Sequence, residues 1–164
     1  MTERAAAPAT ADLLDAHPEL AVCEPALVSF GGVAAFCGPI ATVVAPEDNT
    51  LVRATLETPG EGRVLVVDGL GSVRCALVGD NLAQLAIDND WAGIVVNGAI
   101  RDSAVIDAME VGVKALATNP RKSVKRDLGV AGATVTFLGV TFAPGWWCYA
   151  DDDGVAVSPT AVEG

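Results

Sequence analysis

Short apolar runs, each closed by glycine or a polar turn signal, alternate with helical spacing through the middle of the chain. Arg63-Val-Leu-Val-Val67 is a β run ending in Asp68-Gly-Leu-Gly71, and Val73 to Val78 is a second, ending in Gly79-Asp80. Residues 81 to 90 then place Leu82, Leu85 and Ala86 on one helical face. Ala92-Gly-Ile-Val-Val96 predicts a buried strand ending in Asn97-Gly98, followed by a helix near Ser103 to Met109 and a strand over Val113 to Ala117. Strand and helix in this order predict parallel βαβ units.

The flanks read differently. Residues 1–9 are Ala-rich and without periodicity, which predicts a disordered tail. Thr10 is placed to N-cap a short helix through Ala16, and Asp48-Asn49 to cap another through Leu51, Val52 and Leu56, ended by Pro59-Gly60. Leu27 to Val44 reads as strands separated by Gly31-Gly32 and Gly38-Pro39. Ala133 to Phe142, Trp146 to Ala150 and Gly154 to Val157 read as short strands with tight turns, Asp151-Asp-Asp-Gly154 being a hairpin turn. An α/β middle flanked by β segments predicts a three-layer β/β/α single domain over residues 10–158, with a C-terminal tail at 159–164.

Composition sharpens this. A chain of 164 residues, 51% hydrophobic, has enough apolar side chain for one core, which excludes disorder. With only 5% aromatics, that core is built of Val, Leu, Ile and Ala. The net charge of −11 predicts neither a nucleic-acid nor an anionic-membrane partner. The uncharged stretches Pro25–Pro46 and Leu128–Ala150 are broken by Gly and Pro, so they read as buried strands and turns rather than membrane spans. Cys23, Cys37, Cys75 and Cys148 form no CxxC pair and sit in apolar runs, as buried thiols of a reducing cytosol do. No targeting segment is visible, and the expected location is cytoplasmic.

Ligands of open α/β units bind beyond the carboxyl ends of strands. Three segments qualify here. Gly79-Asp80-Asn81-Leu82 is a glycine turn into a helix N-terminus, where free N–H groups attract a carboxylate; Asp80 fits equally as a plain cap. Asn97 to Asp102 places Arg101, a planar fork for carboxylate or carbonyl oxygen, beside Asp102, a hard oxygen ligand for a magnesium-like ion. The same pair also fits a structural ion pair and a helix cap. Asp68-Gly-Leu-Gly71 has glycines of the kind nucleotide and S-adenosylmethionine binders use, but no helix follows them. The lone His17 lies far from all three, which disfavours Ser-His-Asp or Cys-His chemistry. The basic run Arg121-Lys-Ser-Val-Lys-Arg126 could bind an anion or RNA phosphate, though a charge run is more often a solvated loop. Trp146-Trp147 reads as core or interface packing rather than a stacking platform.

Gly79-Asp80, twenty residues, then Arg101-Asp102 resembles the D-x20-R-D signature of the RraA-like proteins. That family holds regulators of ribonuclease E activity and class II 4-hydroxy-4-methyl-2-oxoglutarate/4-carboxy-4-hydroxy-2-oxoadipate aldolases. Phe30-Gly-Gly32, Cys37-Gly-Pro-Ile40, Asp48-Asn49, Val67-Asp-Gly69, Ala76-Leu-Val-Gly-Asp80, Thr118-Asn-Pro-Arg-Lys-Ser123 and Asp151-Asp-Asp-Gly154 also look like family landmarks, so the resemblance spans about residues 10 to 158.

The resemblance implies a β/β/α swivelling-type fold, a homotrimer with sites near subunit contacts, and a divalent cation, Mg²⁺ or Mn²⁺. It implies that Asp102 holds the metal largely through waters. Arg101 would hold the carboxylate and keto oxygen of a small 2-oxo acid, the amides of Gly79, Asp80, Asn81 and Leu82 its carboxylate, and Asp80 a water. The implied chemistry is retro-aldol cleavage and oxaloacetate decarboxylation through a metal-stabilised pyruvate enolate. It needs no Schiff-base lysine, and Lys114, Lys122 and Lys125 all lie outside the signature. The competing expectation is a non-catalytic protein that binds and inhibits an RNase E-type ribonuclease; a methyltransferase, suggested only by Asp68 to Gly71, comes third.

Overall fold

A computed structural model describes residues 6–164. The elements are α1 (Thr10–Ala16), β1 (Ala21–Val22), β2 (Val28–Phe30), β3 (Phe36–Val44), α2 (Thr50–Leu56), β4 (Val64–Asp68), β5 (Ala76–Val78), α3 (Asp80–Asp88), β6 (Gly93–Ile100), α4 (Ser103–Asp107), β7 (Val113–Thr118), β8 (Val130–Ala131), β9 (Val135–Phe137), β10 (Val140–Phe142), β11 (Trp147–Asp151) and β12 (Gly154–Ser158).

One curled mixed sheet runs β1-β12-β11-β3-β4-β6-β7-β2, with β5 added to β6 and β8 to β3. Its centre is the expected parallel unit: β3 pairs with β4, β4 with β6 and β6 with β7, all parallel. Both β4 and β6 are buried throughout, which is why they read as continuous apolar runs rather than alternating ones. The sheet changes character along β3. Ile40 to Val44 pairs parallel with β4, whereas Phe36 to Pro39 pairs antiparallel with β11. Gly38-Pro39, taken from sequence as a break between strands, lies inside this one strand.

Side-chain alternation sorts the central strands between two cores. Leu65, Val67, Ile94 and Val96 face helices α2, α3 and α4 with Val52, Leu56, Leu82 and Ile106. Val64, Val66 and Val95 face the opposite way, against Phe137, Phe142, Cys148 and Val157 of the β layer. The expected β/β/α layering results. Phe137 and Phe142 stack at 4.5 Å across a β9–β10 hairpin turned by Leu138-Gly139, both at positive φ. Trp147 stacks on Tyr149 at 6.2 Å, and Trp146 packs on the β-layer core, as expected of that pair.

Several local expectations change. Thr10 does not cap α1: Ala9 holds that position, and Thr10 is buried, its N–H and hydroxyl both donating to the Asp151 carboxylate at 2.8 and 2.7 Å. Asp151 is therefore a tether as well as part of a turn. The expected strand from Val73 begins only at Ala76, because Gly69 to Ser72 is bonded into a tight turn against Asn97 O. The strand expected to end at Asn97-Gly98 continues to Ile100, held by β5 and β7 on its two sides with a register shift after Val96. Helix α4 stops at Asp107, two residues short of expectation. Segment 159–164 folds back, with Val162 N–H donating to Tyr149 Oη at 2.8 Å and His17 Nε2 lying 2.7 Å from Glu163 O. The tail expected at 1–9 lies outside the described residues up to residue 5. Cys23, Cys75 and Cys148 are buried free thiols and Cys37 is half-buried; burial pushes the Cys23 thiol up to about 12. Among the described residues no helix is long and apolar enough to cross a membrane.

Candidate functional site

The carboxyl ends of β5 and β6 sit side by side, and each delivers part of one cleft. Strand β5 runs into Gly79, which caps α3; strand β6 runs into Arg101 and then Asp102, the N-cap position of α4. Arg101 N–H donates to Val78 O at 2.9 Å, so the two turns are locked together. A cleft of about 260 Å³ opens here, and Gly79, Asp80, Asn81, Leu82, Arg101 and Asp102 all line it. Every site residue expected from sequence is thus in one place.

Asp102 takes φ +56°, a left-handed conformation that Asp tolerates better than most residues. It is the N-cap of α4 by position but makes no capping hydrogen bond with its side chain. The carboxylate turns instead across the cleft, where its Oδ2 accepts the Asp80 N–H at 3.2 Å and lies 3.9 Å from Arg101 Nε. Asp80 likewise is not the cap of α3; Gly79 is, and Asp80 is the first helical residue. Its Oδ1 accepts the Asn81 N–H at 2.8 Å. Of the N–H groups expected to grip a carboxylate, those of Asp80 and Asn81 therefore have protein acceptors already, while that of Leu82 has no hydrogen bond among the described residues. Gly79 is required by close approach rather than by φ: a Cβ there would lie 2.8 Å from Asp102 Oδ2.

The rest of the lining was not identified as part of the site from sequence. It consists of Asn49, Arg53, Ala76, Lys122, Ser123 and Lys125. The basic run was the available signal, and its reading as a solvated loop holds only in part: Lys122 and Lys125 are exposed but border the cleft, and Ser123 is buried. The segment is pinned. Asn119 N–H donates to Ile100 O, Arg121 O accepts Ala76 N–H, and Ser123 Oγ accepts Asn49 N–H. Asp48 fastens its far end, accepting Arg126 and Leu128 N–H on Oδ2 while Oδ1 takes the N–H and hydroxyl of Thr50. Burial pushes the Asp48 carboxyl up, but these four hydrogen bonds outweigh it and hold the group well below the usual carboxylate range. Asn49 Oδ1, in the same lining, is buried without a hydrogen-bond partner in the protein.

Among the described residues no group of three His, Cys, Asp or Glu side chains could enclose a metal. The donor set instead suits a hard, largely hydrated cation. Asp102 Oδ1 has no protein partner among the described residues and the side chain is 38% exposed in the cleft, so one carboxylate oxygen is open to it. The glycine segment Asp68 to Gly71 offers nothing comparable. Asp68 Oδ1 is taken by Asn97 Nδ2 and Leu70 N–H, both at 2.9 Å, and Gly69 N–H and Gly71 N–H donate to Asn97 O.

A family model described as Aldolase/RraA matches residues 10–157. A protein of Burkholderia multivorans, provisionally named a 4-hydroxy-4-methyl-2-oxoglutarate aldolase, is 58% identical over 160 residues, covering 94% of this chain and 98% of its own. One of Aromatoleum aromaticum with the same provisional name is 54% identical, covering 93% and 97%. Among solved structures, an RNA-processing inhibitor RraA from Thermus thermophilis aligns with a TM-score of 0.90 at 43% identity, covering 100% of this chain and 97% of that one. A structure from Geobacillus kaustophilus HTA426 described as an S-adenosylmethionine:2-dimethylmenaquinone methyltransferase aligns with a TM-score of 0.90 at 50% identity, covering 94% and 96%.

Proposed function

Because this chain belongs to the Aldolase/RraA family, we propose that it is a divalent-metal-dependent lyase. It cleaves 4-hydroxy-4-methyl-2-oxoglutarate-type 2-oxo acids to pyruvate and also decarboxylates oxaloacetate. The observation that carries this reading is the meeting of Arg101, Asp102 and the start of α3 in one cleft. The relatives with provisional aldolase names support it at more than half identity.

In this reading Asp102 holds Mg²⁺ or Mn²⁺ largely through water, with Oδ1 as its open oxygen. The bound cation supplies Lewis-acid polarisation of the keto oxygen. Arg101 binds the 2-oxo acid by its carboxylate and keto oxygen and sets a positive charge where negative charge develops as the C3–C4 bond breaks. Leu82 N–H at the start of α3 adds a donor to the carboxylate. Asp80, with one oxygen held by Asn81 N–H, positions a water that takes the hydroxyl proton in retro-aldol cleavage. In oxaloacetate the same bond breaks with loss of CO₂. Protonation at C3 then gives pyruvate in both reactions. A cytoplasmic homotrimer belongs to the same reading, and light scattering tests the assembly.

The decisive measurement is pyruvate release from 4-hydroxy-4-methyl-2-oxoglutarate and from oxaloacetate, with Mg²⁺ and with chelator, corrected for the metal-only rate. Chelator-sensitive turnover that Asp102→Ala abolishes is the expected result; turnover unchanged in that variant overturns the site.

A second reading has its own support in the Thermus thermophilis relative, whose description is that of an RNA-processing inhibitor. Capture of an RNase E-type ribonuclease by the purified protein, with slowed RNA cleavage, would favour it. The methyltransferase description of the Geobacillus structure finds little support here, since the Asp68 to Gly71 turn is bonded to Asn97 and the next element is strand β5 rather than a helix.

A further inference from the structure

The chain has ten Lys and Arg against 21 Asp and Glu, yet the cleft inverts that balance, with Arg53, Arg101, Lys122 and Lys125 facing only Asp80 and Asp102. Two of these cations are already engaged. Arg53 Nε donates to Glu57 at 2.9 Å, and Arg101 lies beside Asp102. Lys122 and Lys125 form no ion pair with any described residue. Their backbone is held at both ends, by the bonds from Ala76 N–H to Arg121 O and from Asn49 N–H to Ser123 Oγ on one side and by Asp48 on the other. Two ammonium groups without an ion pair are therefore carried by a pinned segment that lines the same cleft as Arg101. A pinned segment lowers the ordering cost of binding, and an ammonium–carboxylate hydrogen bond is among the stronger polar contacts.

We propose that Lys122 and Lys125 form a subsite for the second, distal carboxylate of the substrate and make the cleft selective for dicarboxylic over monocarboxylic 2-oxo acids. The proposal rests on the 2-oxo acid reading above, in which Arg101 takes the first carboxylate. It gives the 121–126 run a role apart from bond cleavage: these lysines set which acid binds, and Arg101 and Asp102 act on whatever does.

Calorimetry with unreactive acids tests it in Mg²⁺ buffer. The probes are 2-oxoglutarate, which has the distal carboxylate but no hydroxyl to cleave, and 2-oxobutanoate, which lacks that carboxylate. The wild-type protein should bind 2-oxoglutarate about tenfold more tightly. The exposed double variant Lys122→Met/Lys125→Met should bind the two acids within about twofold of each other, with 2-oxobutanoate affinity unchanged. Lys122→Arg/Lys125→Arg should keep the preference. Retention of the preference in the Met variant overturns the subsite while leaving the 2-oxo acid reading standing. Equal loss of both acids in that variant also overturns it, because the lysines would then act on the whole cleft. Binding of neither acid by the wild-type protein overturns the 2-oxo acid reading and the subsite with it.

Discussion

Asp102 Oδ2 accepts the backbone N–H of Asp80 at 3.2 Å, joining the start of α3 to the start of α4 across the cleft. The two acids of the signature are thus one mechanical unit, and the carboxylate that would face a metal is aimed by a helix terminus. Asp102→Asn keeps the size and an oxygen for that N–H but removes the charge. Metal-dependent pyruvate release should fall by on the order of 100-fold or more, with the circular-dichroism melt almost unmoved. Activity within a few fold of wild type would show that the charge of Asp102 is not used.

Gly79 tests the same unit from its other side. An added methyl would meet Asp102 Oδ2 at 2.8 Å, the mobile end of a side chain, so the fold can yield while the carboxylate cannot stay in place. Gly79→Ala should cost no more than about 1 kcal/mol of stability. Its kcat should drop by roughly 10- to 100-fold, as expected for a misplaced catalytic group. A loss of stability with normal kcat in the surviving protein would reverse that assignment.

Arg101 offers a planar fork, and lysine would offer one point charge in its place. Arg101→Lys should lower kcat/KM for pyruvate-forming substrates by about 10- to 100-fold, mostly in kcat if the guanidinium meets charge that develops during bond breaking. A rise in KM alone would instead mark it as a group that only binds.

Much of this was legible in the chain. The parallel centre followed from β4 and β6, whose runs are apolar because both faces are covered. One side of the cleft followed from glycine and charge at strand ends, since turns after parallel strands gather on one edge. The rest depends on partners remote in sequence. Thr10 looks like a cap until Asp151, 141 residues away, takes both its donors. Asn97-Gly98 looks like a strand end until β5 and β7 pair with the residues beyond it. Lys122 and Lys125 look like solvated charge because nothing local says that Asp48 and Asn49 hold their loop against the cleft.

Asp48 makes that last point measurable. Its side chain is fully buried and four donors converge on it, two from the lysine-bearing segment. Asp48→Asn would turn an amide N–H₂ toward donors. A loss of about 2–4 kcal/mol in urea unfolding near pH 7 is expected, with weaker binding of a dicarboxylic acid. The folded carboxyl lies below its usual range, so its contribution is complete above the unfolded pKa near 4 and is lost as pH falls from there toward the folded value. The gap between wild type and variant should therefore close in acid. A gap that stays constant down to about pH 3 would rule out the charged carboxylate as the source.

Lys114 should show the opposite sign. It is only 2% exposed, and its Nζ donates to Ser29 Oγ at 2.9 Å without an ion pair among the described residues. Burial pushes the ammonium below its ordinary value, against a weaker upward pull from Asp152, Asp151 and Asp153. Folding therefore disfavours the charged form, and that penalty is complete below the lowered folded pKa. It is relieved as pH rises from there toward the ordinary value of 10.5, because the unfolded chain then binds more protons than the folded one. Lys114→Met keeps the apolar stem, removes the penalty and gives up one hydrogen bond, for a net gain of about 1 kcal/mol near pH 7. The gain should shrink as unfolding is measured at successively more alkaline pH. A Met variant less stable than wild type near neutrality would show instead that the buried ammonium is a net stabilising element of the β2–β7 edge, and a gap that ignores pH would show that the charge of Lys114 is not its source.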